Sequence, residues 1–334
     1  MMTEDLLRIE DLVVQYETEE GIVQAVDGVN LTVKKGEVLG LVGESGCGKS
    51  TLALSIMGLL AKPMGRIVSG NIYLNDIDLV ALKQNEMKSI RGKEISMIFQ
   101  DPTASLNPVF TVGEQLTEAY KAHEHDIDKD EAKERAIEML TKVGISTPDI
   151  RFSQYPHEYS GGMKQRAMIA IGLANNPQLL IADEPTTNLD VTIQAQILEL
   201  MRDLKDEFSS SILIITHNLG VVAELANRVG VMYAGRVAEV GTAEQIFHDP
   251  KHPYTMGLIN SLPGFKSRLD RLPIIPGRVP NLVNAPPGCR FHPRCTYASD
   301  RCEREACEGR VVDGRFVACH MALRLLEEVA SDQI

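Results

Sequence analysis

No stretch of this chain approaches the ~20 consecutive apolar residues that a bilayer-spanning helix needs, so any membrane role has to come through a partner. Positive charge is also short: the formal net charge is -12, which argues against the basic face of a nucleic-acid binder. The opening residues Met1-Met2-Thr3-Glu4-Asp5 lack the basic start and apolar core of a secretory signal, so the expected location is the cytoplasm. Zinc-type Cys-x-x-Cys pairs and the short ferredoxin spacing are both missing. What is present is an ordinary globular composition, 44% hydrophobic and 24% charged. Its 334 residues suit one large domain, or a full-sized domain with an appendage.

Glu37 to Val42 is an apolar run bounded by Gly36 and Gly43, the pattern of a buried parallel strand. It runs into Gly43-Glu44-Ser45-Gly46-Cys47-Gly48-Lys49-Ser50, and an apolar helix is expected from Thr51 to Leu60. Strand, G-x-x-x-x-G-K-S, then helix is the context of a phosphate-binding loop. The glycines let backbone amides turn toward phosphates, and the helix N-terminus adds a favourable dipole. Lys49 is expected on the β- and γ-phosphates of ATP, with the Ser50 hydroxyl on Mg²⁺. The loop amides and Lys49 are expected to lower the Cys47 pKa and make it readily alkylated when nucleotide is absent, a spectator without catalytic duty.

A second apolar strand, Leu179 to Ala182, ends in Asp183-Glu184. Carboxylates at the C-terminal end of a parallel strand lie where ligands bind. Asp183 suits Mg²⁺ and its waters, and Glu184 suits the general base. A third strand, Ser211–Thr216, delivers His217 to hold the γ-phosphate and the attacking water. Gln100 follows the short apolar run Ile95–Phe99 and is a contact to Mg²⁺ or the water. Tyr159-Ser160-Gly161-Gly162-Met163-Lys164-Gln165-Arg166 lies about twenty residues before Asp183 and opens a helix reaching Ala174, with Ser160 as N-cap. It reads as a second phosphate-binding terminus, which makes sense if it serves the nucleotide of another subunit. Val191–Phe208 carries apolar residues at helical spacing, which is core packing.

Gly43–Ser50, Gln100, Tyr159–Gln165, Leu179–Glu184, Asn188-Leu189-Asp190 and His217 occur in the order of an ABC-type ATPase cassette, which the chain resembles over roughly residues 5 to 250. The resemblance implies an α/β fold: a P-loop (RecA-like) cassette with an antiparallel β subdomain and a helical subdomain at about 101–165. It also implies two cassettes head to tail, with ATP held by Tyr16 on the adenine, by Gly43 to Thr51, and by Ser160, Gly161 and Gly162 from the partner. The signature reads Y-S-G-G-M where the family has L-S-G-G-Q, so Tyr159 and Met163 are departures. A DNA-repair ATPase would share the nucleotide site. Only about sixty residues separate Gln100 from Ser160, however, with no sustained heptads of the long insertion those proteins carry.

Beyond about residue 245 the chain becomes turn-rich, and the ATPase domain is placed at 1–245 with an extension at 246–334. His252-Pro253-Tyr254 resembles the mark of ATPase subunits of dipeptide and oligopeptide importers, with nickel importers the alternative. That resemblance implies a second, different ATPase subunit, two membrane permeases, an extracytoplasmic solute-binding protein, and a peripheral place on the cytoplasmic membrane face. Cys289, Cys295, Cys302 and Cys319 follow, with the spacing of related extensions. Four thiolates suit a [4Fe–4S] cluster, which some relatives carry, or zinc; free thiols in an apolar packing are the alternative. Cys307 or His320 could replace one ligand.

Overall fold

The computed structural model describes residues 5–187, 189–262 and 274–322. Asn188 of the Asn188-Leu189-Asp190 trio lies outside them, as do parts of the proline-rich and C-terminal stretches. Among the described residues twelve strands run in chain order: β1 (Asp5–Thr18), β2 (Gly21–Lys34), β3 (Val38–Val42), β4 (Gly65–Leu74), β5 (Ile77–Asp78), β6 (Ile95–Ile98), β7 (Leu179–Asp183), β8 (Ser211–Thr216), β9 (Arg228–Tyr233), β10 (Arg236–Thr242), β11 (Arg310–Val312) and β12 (Arg315–Val317). The chain divides into two compact units, one built mainly from Val33–Glu37 and Ala81–Ile215, the other from Leu7–Thr32, Val38–Val80 and Thr216 onward.

In the first unit β6, β7 and β8 lie parallel, with Ile95 opposite Leu179 and Leu179 opposite Ser211. All three are buried along their length, which is why their sequences read as continuous apolar runs without alternation. Helices Val112–Lys121, Lys129–Lys142, Pro148–Phe152 and Gly161–Leu173 pack on one another. The first of these opens with a capping box, in which Thr111 accepts from the Glu114 amide and Glu114 accepts from the Thr111 amide. Helix Val191–Phe208 is capped by Asp190 and buries Ile197, Met201 and Leu204.

In the second unit β4 pairs antiparallel with both β1 and β5. β3 runs parallel to β9, and β9 returns as β10 through Ala234-Gly235, both at positive φ (47 and 85), the geometry of a tight hairpin. β12 pairs with the free side of β10, and β11 with β12, so the C-terminal region extends this sheet. A shared core joins Val42, Val229, Val231 and Tyr233 to Ile246, Phe247, Tyr254 and Phe291. The turn-rich tail, poor in apolar residues of its own, folds by borrowing this core.

The helix after the phosphate loop spans Lys49–Ile56, shorter than the run to Leu60 expected from its apolar residues. Gly58 (φ 61) stops it in a Schellman motif: its amide bonds Ser55 O at 3.0 Å, and the Leu59 amide bonds Leu54 O at 2.8 Å. Among the described residues, no helix is long and apolar enough to cross a membrane.

Candidate functional site

β3 is apolar on both faces and ends at Val42, so the chain leaves the sheet straight into the glycine-rich loop. Gly46 (φ 78) and Gly48 (φ 103) take left-handed conformations that bend it, and Gly48 is the N-cap of helix Lys49–Ile56. Lys49 is buried, and its ammonium donates to Gly43 O (2.7 Å) and Glu44 O (3.1 Å) and lies 3.5 Å from the Cys47 Sγ. The cation thus sits inside the turn, held by the loop's own carbonyls. Ser45 and Ser50 are exposed, and Thr51 is half-buried.

Two loop residues depart from expectation. Cys47 is fully buried, and burial raises its thiol pKa more than Lys49 lowers it, so the activated, readily alkylated thiol is corrected to an inert one. Glu44 is not turned to the loop's interior. Its amide donates to the Tyr254 hydroxyl at 2.9 Å, and its carboxylate is gripped by Arg294.

In the first unit, Asp183 ends β7 in a buried position and Glu184 follows at φ 48, a conformation uncommon for a non-glycine residue and typical of strained functional positions. The Glu184 amide is fixed on Ile215 O at 2.7 Å. Its Oε2 accepts from Gln100 Nε2 and from Thr187 Oγ1, both at 2.8 Å. Gln100 therefore orients the candidate base through its nitrogen, which leaves its Oε1 as an oxygen donor for a metal. Thr187 was missed by sequence reasoning. Its signal is a hydroxyl three residues after the acid, in a turn where the Thr187 amide bonds Glu184 O at 3.1 Å.

Ser160 caps helix Gly161–Leu173 by accepting from the Met163 amide at 3.4 Å, and both Ser160 and Gly161 are exposed. A Cβ on Gly162 would stand 3.0 Å from Ile193 Cγ2, so a side chain there would need the isoleucine to shift by a few tenths of an ångström. Tyr159 is buried, its hydroxyl donates to Arg151 O at 3.0 Å, and burial pushes its pKa up to about 12. The departure from leucine is therefore structural. In the second unit, His217 is exposed directly after β8, while Asn218 caps helix Leu219–Leu225 through Gly220 N. Tyr16 is half-buried against Gly65, its partner in β4, and a Cβ there would stand 2.7 Å from the Tyr16 ring.

A family model described as ABC transporter matches residues 26–187, and one described as Oligopeptide/dipeptide transporter, C-terminal region, matches residues 238–302. The oligopeptide transport ATP-binding protein AppD of Bacillus subtilis is 53% identical over 297 residues, 89% of this chain and 90% of its own. The dipeptide transport ATP-binding protein DppD of Escherichia coli is 48% identical over 319 residues, 95% and 97% of the two chains. The chain belongs to the ABC transporter family of ATP-binding proteins. A dimeric post-hydrolysis structure of the ATP-binding cassette MJ0796 bound to ADP and Pi superimposes with TM-score 0.64 at 28% identity, over 71% of this chain and 98% of that one.

The C-terminal region of this ABC protein places Cys289, Cys295, Cys302 and Cys319 on the wall of one small cavity, with His292 and His320 beside them. Burial raises three of these thiols: Cys289, Cys295, which is pushed up to about 11, and Cys319, pushed up to about 12. Cys307 instead lines a separate cavity of about 390 Å³, which Cys289 also borders. Among the described residues, no group of three or more His, Cys, Asp or Glu is arranged to hold a metal ion.

His252, the first residue of the His-Pro-Tyr mark, is wholly buried against Phe291; it accepts from the Tyr254 amide, and its own amide donates to Glu239. Burial drives its pKa from 6.5 down to about 4. The folded imidazole therefore stays neutral while the unfolded one takes up a proton, and stability falls as pH drops from about 6.5 to about 4, by roughly 3 kcal/mol in all. Glu239, whose carboxyl burial raises, opposes part of that loss by taking a proton in the folded state. Urea unfolding between pH 7.5 and 4.5 is expected to show a steeper loss for the parent than for His252→Asn, which keeps a capping oxygen. Parallel curves would remove the role given to His252.

Proposed function

We propose that this chain is the ATP-hydrolysing subunit that powers import of dipeptides or oligopeptides through two membrane permeases fed by an extracytoplasmic solute-binding protein. The observation that carries the reading is a strained acid, Glu184, oriented by Gln100 and Thr187, in a chain that also holds a phosphate loop and an importer-type C-terminal region. The curated relatives at 48% and 53% identity are named for dipeptide and oligopeptide transport, which supports the solute class.

In this reading the loop Gly43 to Thr51 takes the triphosphate, with Lys49 exchanging its carbonyl partners for phosphate oxygens. Glu184 accepts the proton of the attacking water, His217 senses the γ-phosphate, and Tyr16 offers its open face to adenine. Ser50 Oγ, Gln100 Oε1 and the Asp183 carboxylate are hard oxygen donors of the class Mg²⁺ takes, and the bound ion would neutralise charge on the phosphates. The Ser160-Gly161-Gly162 terminus, exposed at Ser160 and Gly161, serves the nucleotide of a second ATPase subunit, and the pair works at the cytoplasmic membrane face. A terminus that caps itself only weakly, by a 3.4 Å bond, is ready to accept phosphate.

A [4Fe–4S] cluster on Cys289, Cys295, Cys302 and Cys319 is the fuller reading of the tail, supported by the cavity those four thiols share. Zinc is the alternative that four thiolates would suit. A polynuclear cluster spreads its thiolates over different irons. Bound there, it would crosslink a segment that has little core of its own.

Deleting the gene should abolish uptake of labelled dipeptides and leave nickel uptake intact; the reverse pattern would reassign the solute. A chain purified without oxygen should be brown and contain iron and acid-labile sulfide in equal amounts. A colourless preparation lacking both removes the cluster.

A further inference from the structure

All three polar groups of Glu44, the second residue of the phosphate loop, are committed. Its carbonyl accepts from Lys49, its amide donates to Tyr254 Oη at 2.9 Å, and its carboxylate meets Arg294 in a fork, Nη1 to Oε2 at 2.7 Å and Nη2 to Oε1 at 3.0 Å. Two of these three partners come from the C-terminal region. Arg294 is itself immobile: its side chain is 4% exposed, its Nε donates to Pro276 O at 2.8 Å, and its Nη1 lies 3.3 Å from the Tyr233 hydroxyl. Tyr254 is fully buried between the rings of Tyr233 and Phe291, at 4.6 and 5.3 Å. The Glu44 side chain remains 31% exposed.

A carboxylate in a loop that receives a triphosphate repels its own ligand unless it is neutralised. A planar guanidinium held on three sides is the group best suited to do so at fixed geometry. We propose that Arg294 is a positioning residue for ATP: it cancels the Glu44 charge and, with Tyr254, pins the loop's first turn, so that the C-terminal region sets the loop's affinity for nucleotide. Arg294 precedes Cys295, and Arg290, which pairs with Asp27 at 2.6 Å, follows Cys289. Whatever fixes those two thiols therefore fixes both arginines.

The inference rests on Gly43 to Thr51 being the nucleotide loop, and the test separates the two. ATPase kinetics are measured on the full chain and on Lys49→Met, Arg294→Gln, Arg294→Lys, Tyr254→Phe and the double variant Glu44→Gln/Arg294→Gln, with thermal melts confirming folding. Arg294→Gln should raise the ATP KM about fivefold or more with kcat within about twofold, the split expected when binding energy common to ground and transition states is lost. The double variant should recover most of the KM. Arg294→Lys should fall between the two, and it decides the matter with the double variant if Arg294→Gln does not fold. Tyr254→Phe acts on the amide, so its smaller effect should not be relieved by Glu44→Gln. An unchanged KM in folded Arg294→Gln, or a rise that removing the Glu44 charge leaves in place, overturns the proposal. Normal ATP binding by Lys49→Met would instead overturn the loop assignment itself.

Discussion

Glu184→Gln should bind ATP with a KM within about threefold of the parent while its kcat falls at least a hundredfold. General-base catalysis contributes about 10²–10⁴ in rate, and a hundredfold loss corresponds to about 2.7 kcal/mol of barrier. The substitution is nearly isosteric, and the glutamine oxygen can occupy the Oε2 position, where Gln100 and Thr187 both donate at 2.8 Å. The positive φ of residue 184 and its amide bond to Ile215 O do not depend on the side chain, so the turn should survive. What is lost is the ability to accept a proton. With ATP arriving and not leaving as ADP, the variant should run as an ATP-dependent dimer in size-exclusion chromatography. Parent-like turnover in the folded variant would remove Glu184 as base.

The cassette's architecture was legible where burial is two-sided. β3, β7 and β8 announce themselves as apolar runs because parallel strands hide both faces, and the acid and the loop at their ends follow from that placement. The end of the phosphate-loop helix was not read, although Gly58 carried the signal, because the apolar residues continue past it to Leu60. Strands β11 and β12 escaped notice as well. Each is three residues long and begins with arginine; β12 pairs with β10 residues nearly eighty positions away, and β11 joins the sheet only through β12. The Cys47 error has a different origin. Its neighbours Lys49 and Glu44 can be read from the sequence, but the burial that outweighs Lys49 exists only in three dimensions. The clamp on Glu44 is the extreme case, since Arg294 lies 250 residues downstream and no local pattern marks either member.

Two glycines of the same loop should respond very differently to alanine, because only one of them is enclosed. Gly46 (φ 78) has nothing within 4 Å of the place its Cβ would occupy, so in the nucleotide-free chain Gly46→Ala costs only the intrinsic left-handed penalty, about 1–2 kcal/mol. Gly48 (φ 103) is both left-handed and walled in: its Cβ would lie 2.2 Å from Ala25 O and 2.8 Å from Met232 Cε. The methionine end can swing aside. The Ala25 carbonyl belongs to β2, so it is the loop that must move. Moving residue 48 also disturbs the helix it caps, whose Leu52 amide bonds Gly48 O at 2.9 Å, and it displaces Lys49, whose ammonium is centred on the Gly43 and Glu44 carbonyls. Gly48→Ala should therefore lower the melting temperature by at least three times the shift seen for Gly46→Ala. It should also weaken ATP binding a hundredfold or more, because the amides that line the phosphates move with the turn. Equal melting shifts for the two variants would show that the wall formed by Ala25 yields, and that the loop tolerates a side chain where this geometry forbids one.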